Sequence, residues 1–82
     1  MKILYFAQLR QMLGKSEDLL DLKKSKRIHE IIDELIEKDE NYRIAFKDIK
    51  NIQYAINCEY TDKNGLVSNK DELALFPPVT GG

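Results

Sequence analysis

The chemistry this chain can offer is concentrated in its last two residues, Gly81 and Gly82. A Gly-Gly end carries no side chain, so it can enter a channel too narrow for any Cβ, and it leaves the terminal carboxylate sterically open. A carboxylate is a poor electrophile. A partner holding ATP can convert it into an acyl phosphate or acyl adenylate, and the activated carbonyl can then accept a sulfur, an amine or a thiol. The alternative reading is a frayed end, where glycine is common. At ordinary glycine usage of about 7%, two glycines fill the last two places by chance in about one chain in 200. Pro77 and Pro78 stand two residues before this end, directly after a strand-like segment, and make a semi-rigid extended spacer, which a frayed end does not need. The six residues from Pro77 to Gly82, at about 3.3 Å each, reach about 20 Å.

No side-chain constellation competes with the carboxylate. The 82 residues contain one Cys, Cys58, and one His, His29. That count excludes a disulfide framework and any Cys/His zinc site built from this chain alone. Cys58 reads as a small buried or half-buried hydrophobe with no neighbour that marks its thiol as reactive, and His29 as a solvated residue near a helix start. Lys23, Lys24, Lys26 and Arg27 could meet an acidic face of an activating enzyme or a substrate phosphate, but a charge run reads first as solvated surface. Asp71 and Glu72 fall on opposite faces of a strand and form no carboxylate pair. Asn57 is placed to satisfy backbone groups at a strand end.

Composition excludes further classes. Thirteen Lys and Arg against fourteen Asp and Glu give a net charge of -1, whereas a phosphate-tracking nucleic-acid binder carries a basic excess. The longest unbroken apolar run, Ile3 to Ala7, is far short of the roughly 20 residues that span a bilayer and of the roughly 7 to 15 in a signal-peptide core. The expectation is a cytoplasmic protein that contacts neither nucleic acid nor membrane and binds no metal.

The elements that must position the terminus follow from periodicity. Length allows a single domain, which buries only roughly 60% of its extended-chain surface and has a stability of about 4 to 12 kcal/mol. Residues 2–8, KILYFAQ, predict a strand with Ile3, Tyr5 and Ala7 on one face and Leu4 and Phe6 on the other. Gly14 punctuates the short LRQML segment, and residues 17–23 predict a weaker second strand on which Leu20 and Leu22 share a face. Ile28, Ile31, Ile32, Leu35 and Ile36 form one stripe of a helix over about 26–39. Ser25 is its candidate N-cap, without a capping box, and the end charges oppose the helix dipole. Tyr42, Ala45, Phe46 and Ile49 repeat the spacing over a second, shorter helix. Residues 52–57 return to strand character, 59–61 suggest a short edge strand, and Asp62-Lys63-Asn64-Gly65 a turn with Gly65 available for positive φ. Glu72 to Phe76 make the last strand, stopped by Pro77-Pro78. One helix packed across a mixed sheet of four or five strands is the economical α+β solution.

The string ELALFPPVTGG, the opening KILYFAQLR and the internal AIN at Ala55 to Asn57 resemble the small, sulfur-carrying subunits of molybdopterin synthase over the whole chain. The resemblance implies a ubiquitin-like β-grasp domain over residues 1–76 with an extended tail over 77–82. It also implies a mechanism. An ATP-dependent adenylating enzyme activates Gly82, a sulfur donor converts the adenylate to a thiocarboxylate, and the tail enters the large catalytic subunit. There the sulfur passes to cyclic pyranopterin monophosphate, building molybdopterin. Such assemblies are heterotetramers, the small subunit binds no cofactor of its own, and the catalytic side chains belong to the partner. Gly81, Gly82, Pro77, Pro78 and Val79 match the family's terminal motif residue by residue.

Phe6, Tyr60 and Phe76 match positions where the family places apolar interface residues. Strand alternation independently sets Phe6 opposite Tyr5 and Phe76 opposite Leu75; for Tyr60 core packing is the alternative reading, close behind the interface. One departure stands out: Asn69-Lys70-Asp71 replaces the family's usual Asp-Gly-Asp, so either Asn69 is left-handed or the turn type differs. Two other functions use the same activated terminus. One is a ubiquitin-like modifier attached to lysines of target proteins, the other a sulfur carrier for thiamine or for tRNA thiolation.

Overall fold

The computed structural model describes residues 1–49 and 51–78. Strand β1 (Lys2–Tyr5) leads into helix α1 (Ala7–Leu13), followed by β2 (Glu17–Leu19), β3 (Lys26–Arg27), α2 (Ile28–Lys38), α3 (Glu40–Asp48), β4 (Gln53–Ile56), β5 (Glu59–Thr61), β6 (Leu66–Val67) and β7 (Glu72–Phe76). Five strands form one mixed sheet in the order β2-β1-β7-β4-β5, and β3 with β6 form a small two-stranded ribbon. The central pair β1 and β7 is parallel, and the other pairings in the main sheet are antiparallel. First and last strands lying side by side at the centre, with α2 packed over one face, is the expected β-grasp arrangement.

Alternation decides which face is core. Ile3 and Tyr5 of β1 and Leu73 and Leu75 of β7 are fully buried, and they meet Ile28, Ile31 and Leu35 of α2, Leu9 of α1, and Tyr42 and Ala45 of α3. Ile32 and Ile36, the flank of the predicted stripe, are half-buried. At about 25 cal/mol per Å2 of apolar surface, each such isoleucine or leucine contributes about 1.5–3 kcal/mol. α2 and α3 could not hold their short helices without this burial.

Several boundaries differ from expectation, each for a local reason. The first strand ends at Tyr5, and its continuation is a helix that the LRQML segment did not announce. Ala7–Leu13 is rich in strong helix formers, buries Leu9, and ends on Gly14 in the left-handed region at φ 72°, whose N–H donates to the Arg10 carbonyl at 2.9 Å. The helix thus begins where a β-rich run had pointed to more strand. The second strand stops at Leu19, although Leu22 beyond it is buried.

Helix α2 starts at Ile28 because Lys26–Arg27 pair with Leu66–Val67. Its N-cap is therefore Arg27, not Ser25. The Arg27 backbone N–H donates to Glu30 Oε1 at 2.9 Å, the acidic half of a capping box, while the arginine side chain has no acceptor to complete it. With these ends, Glu30 lies in the first turn and Lys38 in the last, so the dipole is partly complemented after all. Asp39 ends this helix and caps the next, accepting the Asn41 N–H at 2.9 Å.

Three turns complete the frame. Asn57 and Cys58 join β4 to β5 with φ of 50° and 70°, the pair of positive values that a two-residue type I′ hairpin requires. Cys58 is exposed, which corrects the expected buried or half-buried placement: the hairpin needs its backbone there, and its thiol points away from the core. A non-glycine residue in this region costs about 1–2 kcal/mol. Cys58→Gly is therefore expected to raise stability by about 1 kcal/mol, read from the urea midpoint at unchanged m-value.

Gly65 is absent from the positive-φ residues. Its requirement is space, since a Cβ there would lie 2.7 Å from Thr61 Oγ1. Neither Asn69 nor Lys70 is left-handed, so the turn before β7 differs in type from a glycine turn. It closes by the Asp71 N–H to Ser68 carbonyl bond at 3.0 Å and the Ser68 N–H to Asp71 Oδ2 bond at 2.8 Å. Asn57 does satisfy a strand end: it accepts the Glu72 N–H at 3.0 Å and donates to Asp71 Oδ1 at 2.9 Å. The backbone bond from Ser68 and the side-chain bond from Asn57 hold the Asp71 carboxyl below the usual carboxylate range.

A polar cluster underlies the core edge. Asp18 Oδ2 accepts from the Tyr5 hydroxyl at 2.7 Å and from the Tyr42 hydroxyl at 2.6 Å, and Lys15 Nζ reaches Asp18 Oδ1 at 3.2 Å and the Tyr42 hydroxyl at 2.8 Å. One carboxylate thereby ties β1, β2, α3 and the loop between α1 and β2. The basic run does not act as a unit: Lys26 pairs with Glu34, Lys23 with Asp21, and Arg27 donates to the Asn64 carbonyl.

Candidate functional site

The site is the end of the sheet from which the carboxyl-terminal arm leaves, together with the sheet face that no helix covers. β7 lies between β1 and β4, so the arm departs from the middle of the sheet. Phe76 is in register with Gln53, and the Phe6 N–H donates to the Leu75 carbonyl at 3.2 Å. Phe6, Gln53 and Phe76 therefore ring the point where the arm begins. Pro77 and Pro78 are half-buried; Val79, Gly81 and Gly82 lie outside the described residues.

On the uncovered face, register aligns Leu4, Ala74, Ala55 and Tyr60 in one row across β1, β7, β4 and β5. The two alanines form a shallow floor. Tyr60 and Phe76 stand over one end of it, their ring centroids 5.8 Å apart and their planes inclined by 65°, the edge-to-face geometry that aromatic pairs favour. Leu19, 73% exposed, marks the far end of the same face on β2. An apolar surface of this extent, flat and unpartnered on a small chain, has the character of the core of a protein interface.

The three interface candidates are thus placed individually. Phe76 faces away from the core as the alternation of β7 requires, with Leu75 buried beneath. Tyr60 is 78% exposed, which excludes core packing, and its hydroxyl is free to meet water. Phe6 is exposed at 44%, but it is the N-cap of α1 and not a strand residue. Its exposure comes from the strand-to-helix turn, where Ala7 takes φ 51°. Leu4, Ala55, Ala74 and Leu19 are not among the interface residues that the sequence names, although Leu4 is placed on the face of Phe6. The signal for the alanines is there in retrospect: small residues at outward positions of two adjacent strands whose inward positions are large.

Tyr60→Ala is expected to weaken binding of a partner on this face about tenfold, since truncated interface aromatics are common anchors. Being exposed, it should leave stability within about 0.5 kcal/mol. Calorimetric titration with the partner and a thermal melt would read the two effects.

Comparison with known proteins bears on this arrangement. The profile of the ThiS family matches residues 3–82. The chain belongs to the ThiS family. A curated relative from Haemophilus influenzae, the molybdopterin synthase sulfur carrier subunit, is 35% identical over 83 residues that cover 100% of this chain and 99% of the relative. Among solved structures, small archaeal modifier protein 1 of Haloferax volcanii superposes with a TM-score of 0.77 at 23% identity, covering 96% of this chain and 97% of that one. A chain of the complex of subunits 1 and 2 of the Helicobacter pylori molybdopterin-converting factor gives a TM-score of 0.64 at 17% identity, covering 99% of this chain and 96% of that one. At those identities the two structures speak for the fold alone, and they establish the ubiquitin-like β-grasp. The ThiS-family match extends through Gly82, so the terminal glycines fall within the shared region. Among the described residues no helix is long and apolar enough to cross a membrane.

Proposed function

We propose that this chain is the sulfur-carrier subunit of a molybdopterin synthase, and that its reactive group is the Gly82 carboxylate. The observation that carries the reading is the full-length match to a curated sulfur carrier subunit, with PPVTGG following directly on a central strand whose end is flanked by the exposed Phe6 and the half-buried Phe76. An ATP-dependent adenylating enzyme forms the mixed anhydride of Gly82 with AMP, and pyrophosphate leaves. Attack by sulfide-level sulfur from a donor expels AMP, which carries away one carboxylate oxygen, and leaves a thiocarboxylate. This chain supplies no catalytic side chain and holds no cofactor; ATP is consumed on the activating enzyme.

In this reading residues 1–76 are the recognised body and residues 77–82 the arm. The uncovered face with Phe6, Tyr60 and Phe76 seats a large catalytic subunit, in keeping with the subunit pair known from Helicobacter pylori. Pro77, Pro78 and Val79 line the entry to that subunit's channel, and Gly81 permits passage where a Cβ would not. The stiff prolines limit the freedom lost when the arm is threaded.

The test is delivery. Thiocarboxylated chain, mixed with the large subunit and cyclic pyranopterin monophosphate, should yield molybdopterin and return Gly82 as a plain carboxylate. Lysine-linked conjugates of the chain in place of that product would favour a modifier. Delivery only to a thiamine precursor or to tRNA would redirect the carrier.

A further inference from the structure

Three consecutive backbone carbonyls of the turn between β5 and β6 meet the start of α2. Lys63 accepts the His29 N–H at 3.0 Å, Asn64 accepts from Arg27 Nη1 at 3.0 Å, and Gly65 accepts the Ile28 N–H at 3.0 Å. The first N–H groups of a helix have no partner within it, and Arg27, the N-cap, has no side-chain acceptor to offer them. The turn therefore caps α2 from a distant part of the chain. Asp62 holds the turn closed: its carbonyl accepts the Gly65 N–H at 3.0 Å, and its Oδ1 accepts the Asn64 N–H at 2.8 Å.

The same turn contains an Asn-Gly step. The other asparagines are followed by Tyr42, Ile52, Cys58 and Lys70, whose side chains crowd the backbone nitrogen that Gly65 leaves open. Such a nitrogen can attack the preceding side-chain amide. The Gly65 nitrogen gives its proton to solvent and bonds to Asn64 Cγ, the Cγ–Nδ2 bond breaks, and the leaving nitrogen takes up a proton and departs as ammonia. Water then opens the five-membered succinimide at either carbonyl, giving aspartate or isoaspartate at position 64. Packing keeps glycine here, since a Cβ would lie 2.7 Å from Thr61 Oγ1 and 3.1 Å from Ile56 Cδ1.

We propose that Asn64 is a deamidation site whose rate is set by opening of this turn, and that the isoaspartate formed there uncaps α2. In the closed turn the proton of the attacking nitrogen is engaged by Asp62, and the peptide that must rotate for ring closure carries the carbonyl held by Arg27. The reaction waits for local opening. Isoaspartate routes the backbone through the former side chain and adds one methylene, so the carbonyls at 64 and 65 no longer reach Arg27 and Ile28 together. Plain aspartate keeps the original path and the cap. Nothing in this step depends on sulfur carriage.

The test follows Asn64 by peptide mass spectrometry while the full chain is incubated at neutral pH in buffer and in concentrated urea. The folded chain should deamidate there at least about tenfold more slowly than the unfolded one. Arg27→Ala, which leaves the backbone pairing of β3 intact, should raise the folded rate about three- to tenfold, the effect of one lost hydrogen bond, and leave the rate in urea unchanged. Asp62→Ala, which frees the Asn64 N–H, should act in the same direction. The isoaspartate form, separated by ion exchange, should have a lower urea midpoint than the Asn64→Asp variant. Equal rates in buffer and urea, no reaction at Asn64 in urea, a folded rate indifferent to both substitutions, or an isoaspartate form as stable as Asn64→Asp would each overturn the proposal.

Discussion

A chain lacking Gly82 is expected to fold as the full chain does and to acquire no sulfur. The carbonyl that must be adenylated is removed, and the new terminus at Gly81 is one residue, about 3.3 Å, short of the reacting position. A displacement of even about 1 Å can cost a hundredfold in a positioned reaction, so the loss should be at least that large. Adding one residue after Gly82 should be as damaging for a different reason: the carboxylate becomes a peptide carbonyl and the new end is too long and carries a Cβ. Circular dichroism and the urea midpoint should not move in either variant, because among the described residues the buried ones lie between Ile3 and Leu75. Sulfur loading of the extended chain at the normal rate, with sulfur found on Gly82, would refute the mechanism.

Asp18→Ala is expected to be the most damaging substitution of any charged residue for stability. It removes the acceptor shared by the Tyr5 and Tyr42 hydroxyls and the partner of Lys15. Leaving such donors without an acceptor costs about 2–3 kcal/mol, a large part of the roughly 4 to 12 kcal/mol available. Asp18→Asn keeps an acceptor and should cost about half as much. Burial works against the Asp18 charge, but the bonds from Tyr42, Tyr5 and Lys15 outweigh it and hold the carboxyl below its ordinary value.

Because the folded value is the depressed one, the stabilisation is fully present above the unfolded carboxyl's pKa, about 3.9, and is lost as pH falls below that toward the folded value. Denaturant midpoints of the parent chain should therefore drop more steeply below about pH 4 than those of Asp18→Asn. Parallel curves would remove Asp18 from the account. Tyr5, raised by burial and then by its bond to Asp18, stays protonated across this range and adds no slope.

How much of this was legible in the sequence depended on whether a signal was local. The α2 stripe, the β7 strand and its proline stop were readable because spacing alone places Ile28, Ile31 and Leu35, or Leu73 and Leu75, on one face. Helix α1 was not, because KILYFAQ reads as strand through residue 8 and the turn into helix depends on Ala7 adopting a conformation that alanine seldom takes. The start of α2 was misplaced because Lys26 and Arg27 are recruited by β6, forty residues later, a pairing no window contains. The Asp18 cluster was invisible for the same reason: Tyr5, Lys15, Asp18 and Tyr42 meet only after the sheet and α3 have packed. Cys58 was misjudged because hydrophobic character suggests burial, whereas the hairpin geometry dictates its position. The candidate site divides likewise. Its reactive end is a string at one terminus and is plain to read, while the floor of Leu4, Ala74 and Ala55 exists only through register.

The central claim is that sulfur is carried on the terminal carboxylate. The most direct measurement is fragment mass spectrometry of the full chain after incubation with the adenylating enzyme, ATP and a sulfur donor. The account predicts a gain equal to the exchange of one oxygen for sulfur, located at Gly82 and absent without ATP. A persulfide on Cys58, or a sulfur gain that persists in the chain lacking Gly82, would contradict it.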